Sequence, residues 1–558
     1  MTGGTLAVGG GLAELIRQPS SAATRVSRSA GQQPNILVVM VDQLRTPQWF
    51  QSAASAAGLM PNLARLRNGG VSFDNHFTAA NDCTPARAAL LTGLYSLQTG
   101  CLITGGSTLD PGFATWGTLL REHGYQTQWF GKWHLTRHDN HWRASRDAHA
   151  LERYGFSGGT FPSPDGGPGQ GWRVDPIIAS QFKTWYAAAP ATTPWCTTVS
   201  FVNPHDIAWW YRWSDQAPTE KTAPQLATAL PANFETPAQL VARRKPRLQL
   251  SLQQTAARGF GSVPFTGPQA LAAWLPFMNL YLKLLHEVDR QIGVVIDALE
   301  SRPGLAANTV VIFTSDHGEY GSSHGLRGKG AGAYDEAISV PLIVKDLRGR
   351  LNAAPSVSRT GLTSSVDVIP LLLTIAIGSH DWRSDSRYAH ISARHDIAAM
   401  LADPAAAGRP WVLHATDEIV SEFATEAYAA HAPRHVVAIR TPTAKYAVYS
   451  NWKANTNTVQ TRGQERELYD YSTRNGRLEI DNLAGRSHLE SKLDAQLGAA
   501  IHHELRERLP QRLQAAVNRG YADYYSRAKT VALEQARLRR RLEKTESRRD
   551  ASEKLGAQ

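Results

Sequence analysis

The sequence predicts an α/β protein: a large domain on a central, mostly parallel sheet flanked by helices, then a smaller C-terminal α+β subdomain with an antiparallel sheet. Three observations lead there. Residues 34–41 and 308–314 are unbroken apolar runs rich in β-branched residues, the pattern of strands covered on both faces. Residues spaced by three and four, such as Leu285, Val288, Ile292, Val295 and Leu299, read as a helix covering that sheet. Beyond residue 405 the character changes, and 436–440, 446–449 and 467–470 read as short strands joined by turns.

Strand 34–41 ends in Asp42-Gln43. Ligands of doubly wound sheets bind beyond the carboxyl ends of the strands, so Asp42 is either a site residue or the cap of the next turn. Residues 61–66 start a short helix, and 71–77 form a second strand leading into Asn81-Asp82-Cys83-Thr84-Pro85-Ala86-Arg87. Pro85 suits a first helical turn and 86–91 are good helix formers, which sets Cys83 at a helix N-terminus, where free N–H groups favour an anion. Arg87, four residues on, falls on the face beneath the Cys83 side chain. The plain alternative is a buried cysteine near a helix cap.

Residues 115–123 read as a helix closed by Gly124, and 125–130 as a strand followed by Gly131-Lys132-Trp133-His134. Lys132 and His134, two apart in an extended segment, point to the same side. Residues 138–170, with Gly-Gly and Pro-Gly clusters and no periodicity, read as a long surface loop region. Strand 195–202 precedes Asn203-Pro204-His205-Asp206, where Asp206 is placed to orient His205. Trp209, Trp210 and Trp213 either wall a pocket or pack as an ordinary loop. Residues 214–270 read as an insertion of short helices and loops.

Strand 308–314 ends in Ser315-Asp316-His317-Gly318-Glu319, and the glycines around Lys329 let that lysine and its backbone approach a ligand. Residues 340–344 form a further strand and 366–377 a helix closing the large domain. Residues 489–509 hold a helix, and 521–554 a charged helical tail with little apolar face, solvated or the contact of a homo-oligomer. The expected divisions are a leader or truncated export signal at 1–33, a catalytic domain at 34–405, the α+β subdomain at 406–515 and the tail at 516–558.

With 558 residues, 42% of them hydrophobic, the chain can bury a large core and a second domain. No stretch approaches the roughly 18 apolar residues of a membrane span, so no integral membrane segment is expected. The net charge is +11, but 527–554 hold ten Lys/Arg against five Asp/Glu, leaving +6 on the rest. With no basic module bearing interleaved aromatics, no nucleic-acid partner is expected. Three cysteines make no disulfide framework, and Cys196, inside an apolar run, reads as a buried thiol. Residues 2–16, Gly-rich and mildly apolar, read either as a leader on a cytoplasmic protein or as the later part of a signal for periplasmic or secreted export.

Cys83-Thr84-Pro85-Ala86-Arg87 with Leu91-Thr92-Gly93 resembles the signature of the type I sulfatases, whose cysteine is oxidised to formylglycine by a dedicated formylglycine-generating enzyme. Asp42 at its strand end, Gly-Lys-Trp-His, Asn-Pro-His-Asp, Ser-Asp-His-Gly, Lys329 after a second His-Gly, and Glu467-Leu468-Tyr469-Asp470 extend the resemblance over most of the chain, within the alkaline-phosphatase-like superfamily. The resemblance implies that Asp42, Asp316 and His317 bind one divalent cation together with the modified Cys83, Gln43 adding a carbonyl oxygen. Many sulfatases carry a second Asp where this chain has Gln43, and Asn where it has His317. Imidazole in place of oxygen moves the site from the set that suits Ca2+ toward Mn2+. The Asp-Gln and Asp-His pairs look more like choline sulfatases and phosphonate monoester hydrolases. By the same resemblance Cys83, Arg87, Lys132, His134, His205 and Lys329 are the catalytic residues, cleaving a small-molecule sulfate ester to an alcohol and sulfate. The alternatives are a phosphonate monoester or phosphodiester hydrolase with the same nucleophile, and a binding protein on an inactive sulfatase scaffold.

Overall fold

The structure is a computed structural model and describes residues 33–46, 57–136, 149–210, 227–355, 357–420, 426–506 and 509–556. The leader expected at 1–33 lies almost wholly outside these, as does Trp213. The main sheet has seven strands. At its centre β1 (Asn35–Asp42) runs parallel to β6 (Trp195–Pro204) on one side and to β7 (Thr309–Ser315) on the other. β4 (Gln126–Gly131) and β5 (Ser157–Gly158) continue it in parallel, while β8 (Leu342–Asp346) and β2 (Val71–Phe73) close the far edge antiparallel.

The unbroken apolar character of β1 follows from its two covered faces. Ile36, Val38 and Met40 enter one core with helices α2 (Cys83–Thr92), α3 (Trp116–Glu122) and α7 (Val368–Ile377). Leu37, Val39 and Val41 enter the other with α1 (Pro61–Arg67), α4 (Gln170–Ala187) and α6 (Gly267–Glu300). Because β1, β4, β6 and β7 are parallel, Asp42, Lys132, His205 and Asp316 all leave the sheet at the same edge.

Several expectations need correction. The strand read at 71–77 is two: β2 joins the main sheet, whereas β3 (His76–Phe77) pairs with β9 (Thr363–Ser364) in a separate ribbon. Within the region read as insertion, α5 (Arg247–Phe260) is a full amphipathic helix, and α6 begins at Gly267, well before the stretch read as helix. α4, which begins where the loop region was expected to end, had no counterpart in the sequence reading.

The C-terminal part is a four-stranded antiparallel sheet, β10 (Val412–Thr416), β11 (His435–Arg440), β12 (Ala444–Trp452) and β13 (Val459–Asp470), covered by α8 (Glu490–Glu504). The tail is also different from its reading. α9 (Gln511–Gly556) buries Ala516, Val517, Tyr521, Tyr524 and Val531, the first four of them in the same core as α2 and α3. Gly520 lies so close to Gly100 that a Cβ there would stand 2.3 Å from the Gly100 carbonyl oxygen. The first half of this helix therefore lays an apolar stripe into the core, which the reading as a charged tail with little apolar face lacks.

A buried ionic junction ties the C-terminal sheet to the rest. His324 places Nδ1 2.6 Å from Glu235 Oε2 and Nε2 3.5 Å from Glu336 Oε2, with its ring stacked on Tyr334. Lys245 lies 3.6 Å from Glu235, and Lys445 pairs with Asp335 and Glu479. Among the described residues, no helix is long and apolar enough to cross a membrane.

Candidate active site

Asp42, at the end of β1, and Asp316, just beyond β7, are brought together by the pairing of those strands, and α2 presents Cys83 to both. α2 begins in the extended Asp82 and ends at the left-handed Gly93, so Cys83 is its first residue, as the sequence reading has it. Cys83 Sγ is 3.8 Å from each Asp42 carboxylate oxygen, 3.3 Å from His317 Nε2 and 3.6 Å from Lys132 Nζ. Asp42, Cys83, Asp316 and His317 each offer one ligand atom, all within 4.8 Å of one another and all buried.

Arg87, fully buried one turn below, is committed to the carboxylates. Its Nη2 donates to Asp42 Oδ2 at 2.8 Å and its Nε to Asp316 Oδ2 at 2.9 Å, while Nη1 donates to the Lys132 carbonyl and to Ser200 Oγ. Lys132 Nζ lies 2.7 Å from Asp42 Oδ2. Burial alone would raise the Asp42 carboxyl, but Lys132, His205, Arg87 and Lys329 together hold it well below the ordinary carboxylate range. Asp42 is a carboxylate at any working pH.

His317 suits a metal ligand. Its Nδ1 is 3.0 Å from the Gly318 carbonyl, which accepts a hydrogen bond from Nδ1–H, so that the Nε2 lone pair faces the cluster. Burial pushes its pKa down to about 4, outweighing Asp316 and Asp42, so the ring is neutral. Two carboxylates and a neutral imidazole are a donor set that fits one divalent cation.

Gln43 adjoins this cluster in a left-handed conformation, φ 67°. Its N–H donates to Asp316 Oδ1 and its carbonyl accepts from the Tyr281 hydroxyl at 2.7 Å. Its side-chain Oε1 accepts from Lys329 Nζ at 2.8 Å. His134, also left-handed at φ 55°, is buried, and its carbonyl accepts from Thr84 Oγ1 in the first turn of α2.

His205 follows β6 and is buried against Gly166, where a Cβ would stand 2.5 Å from the imidazole. Asp206 lies beside His205, which acts on it electrostatically, but its hydrogen bonds go to backbone. Its oxygens accept from the backbone N–H groups of Gly171 and Trp172 at 3.1 and 3.0 Å, capping α4. Asp175 reciprocates from α4, accepting from Val202 N and Asn203 N, so two carboxylates stitch the His205 turn to the helix. Trp210 is core, against Phe277, with the Arg327 guanidinium over its ring, and Trp209 donates to the Gly166 carbonyl.

Ser200, Asp175 and Glu319 have no role in the sequence reading; Glu319 follows the end of β7, which is a signal, whereas Ser200 lies within β6 and Asp175 within α4, where none exists. A second gathering, His324, Glu336 and Glu479, resembles a metal site only in composition. Both His324 nitrogens face carboxylates, and Lys445 already pairs with Glu479, so its charges are met by protein cations.

Curated sulfatases match over 61–68% of their own length. The uncharacterized sulfatase YidJ of Escherichia coli (strain K12) is 28% identical over 373 residues, covering 62% of this chain and 68% of its own. Among solved structures, BT4656 in complex with its substrate D-glucosamine-2-N,6-O-disulfate superposes with TM-score 0.64 at 20% identity, covering 85% of this chain and 99% of that one. The phosphonate monoester hydrolase SpPMH from Silicibacter pomeroyi gives TM-score 0.63 at 20% identity, over 85% and 96%. The family model Sulfatase matches residues 34–379, a span that contains every residue of the cluster and more than half of the sequence: the chain belongs to the sulfatase family.

Proposed function

We propose that this protein hydrolyses sulfate monoesters to an alcohol and inorganic sulfate, using formylglycine made from Cys83 and one divalent metal. The observation that carries the reading is the convergence of Cys83 with Asp42, Asp316, His317 and Lys132 inside one buried cup. Asp42, Asp316 and His317 would hold the ion, and Gln43 would add its side-chain carbonyl oxygen. When bound, the ion supplies fixed positive charge against a sulfate oxygen. The hydrated aldehyde supplies two geminal hydroxyls, one to attack sulfur and one whose deprotonation releases sulfate; neither a thiol nor a serine has the second.

The remaining steps fall to the chain. Lys132, Lys329 and the first turn of α2 draw in the sulfate oxygens as preorganised positive charge, a kind of contribution worth about 100-fold or more in kcat per group. His205 gives a proton to the leaving alcohol oxygen as the S–O bond breaks, and His134 takes the proton of the second hydroxyl. Arg87 keeps both carboxylates in place throughout.

Gln43 and His317 also favour a second reading, a phosphonate monoester or phosphodiester hydrolase with the same nucleophile. Peptide mass spectrometry across position 83, followed by initial rates on an aryl sulfate and an aryl phosphonate monoester with one enzyme batch, decides between them. Sulfate release at the higher rate supports the first reading; a phosphonate rate greater by several orders overturns it, and an unmodified cysteine in active protein overturns the nucleophile.

A further inference from the structure

The residue at position 43 is an amide set between two groups of opposite demand. Its Nε2 donates to Glu319 Oε2, and its Oε1 accepts from Lys329 Nζ at 2.8 Å. Glu319 is fully buried, and its other oxygen, Oε1, is already used twice, accepting from Gly321 N at 2.9 Å and Gly328 N at 2.8 Å. That carboxylate is therefore fixed to the loop that carries Lys329, and its Oε2 is turned to the Gln43 amide.

We propose that Glu319 is a positioning residue which locks the Gln43 amide with its carbonyl oxygen toward Lys329 and the metal cup, and that this lock is why an amide and not a carboxylate stands at position 43. Only a group with a donor at one end and an acceptor at the other satisfies both neighbours. An acid at 43 would set two buried carboxylates against each other. A free amide could turn over, presenting N–H to Lys329 and to the cation, and both contacts would be lost.

The geometry specifies a reciprocal exchange. In Glu319→Gln the new side-chain oxygen can still accept from Gly321 and Gly328, but its NH2 now faces the Gln43 amide, donor against donor. In Gln43→Glu the carboxylates collide. In the double variant, which combines Gln43→Glu with Glu319→Gln, the amide introduced at position 319 donates to the carboxylate introduced at position 43. The second oxygen of that carboxylate takes Lys329, and every hydrogen bond is replaced.

The inference rests on the metal reading above, and the test separates the two. Unmodified, full-length protein with Cys83 in place is titrated with Mn2+ by calorimetry, and thermal unfolding of the same four proteins is followed in EDTA. Each single variant is expected to weaken Mn2+ binding by about tenfold or more, the usual scale for groups that orient a ligand. Each should also lower Tm, and the exchange should restore both. Wild-type protein that binds no Mn2+ sinks the metal assignment, and the Tm cycle in EDTA then still tests the lock. Single variants that match wild type in both measurements, or a double variant no better than the singles, overturn the proposal.

Discussion

Asp42 and Arg87 form a fully buried ion pair, Nη2 to Oδ2 at 2.8 Å, and the same guanidinium reaches Asp316 through Nε. One planar cation thus sets the separation of the two carboxylates offered to a metal. A lysine is a single point charge and cannot serve both. Arg87→Lys is expected to cost about 3–5 kcal/mol in unfolding free energy, the scale for breaking a buried pair. Sulfate-ester turnover should fall by about 100-fold or more. Arg65→Ala is the control, since its pairs with Asp297 and Glu300 lie largely in solvent and should be worth at most about 1 kcal/mol. Chemical denaturation of the two variants side by side checks the contrast; equal losses would mean the buried bridge is not special.

In the proposed metal site, His317 would set the preference between ions. Replacing its imidazole by an oxygen donor, His317→Asn, returns the site to the oxygen-rich set that suits Ca2+. The ratio of the Mn2+ to the Ca2+ dissociation constant should rise by about tenfold relative to wild type. Competition calorimetry reads the ratio directly, and an unchanged ratio would remove His317 from the ligand set.

β1 and β7 are legible in the sequence because burial on both faces forces continuous apolar runs, and each run ends where the polar site begins; in β4 the run is broken by Gln126, Thr127 and Gln128, and Tyr125, Trp129 and Phe130 mark it. α4 is not legible for a physical reason: its buried face includes Asp175, an acid that serves the β6 turn, and Pro176 interrupts its first turns. The segment at 71–77 is two strands because Asp74-Asn75 turn the chain between them, a local signal that a single-strand reading passes over, while the different partners of the two ends leave no trace in the sequence. The stripe Val517, Tyr521, Tyr524, Ala528 and Val531 in α9 keeps the spacing of a packed helix, yet the charges interleaved with it hide the pattern. Glu319 and Gln43 are 276 residues apart, and a contact of that separation leaves no local trace.

The junction at His324 should give stability a measurable pH dependence. Burial alone would lower this imidazole, but hydrogen bonds to Glu235 and Glu336 outweigh it and raise its pKa above the ordinary 6.5. A raised folded-state value means the stabilisation is complete below the unfolded value and is lost as pH climbs through the folded one. The Tm gap between wild type and His324→Gln should therefore be widest in mildly acidic buffer and shrink steadily as the pH is raised into the alkaline range. A gap that grows with pH would show that the ring is neutral in the folded protein.

The clamp between α4 and the His205 turn separates a structural acid from a chemical one. If Asp206 tuned His205, Asp206→Asn would move a limb of the pH–rate profile. Its oxygens instead cap Gly171 and Trp172, so Asp206→Ala should lose about 1 kcal/mol of stability, as helix caps do, with the pH–rate limbs where they were. Asp175→Ala orphans Val202 N and Asn203 N and should cost more, about 1–3 kcal/mol for each buried donor left unpaired. Since those two amides lead directly into His205, Asp175→Ala should also lower kcat, whereas Asp206→Ala, which frays the helix but leaves β6 held, should largely spare it. Turnover measured beside unfolding for the pair tests that ordering: a larger kcat loss in Asp206→Ala would return Asp206 to the reacting groups.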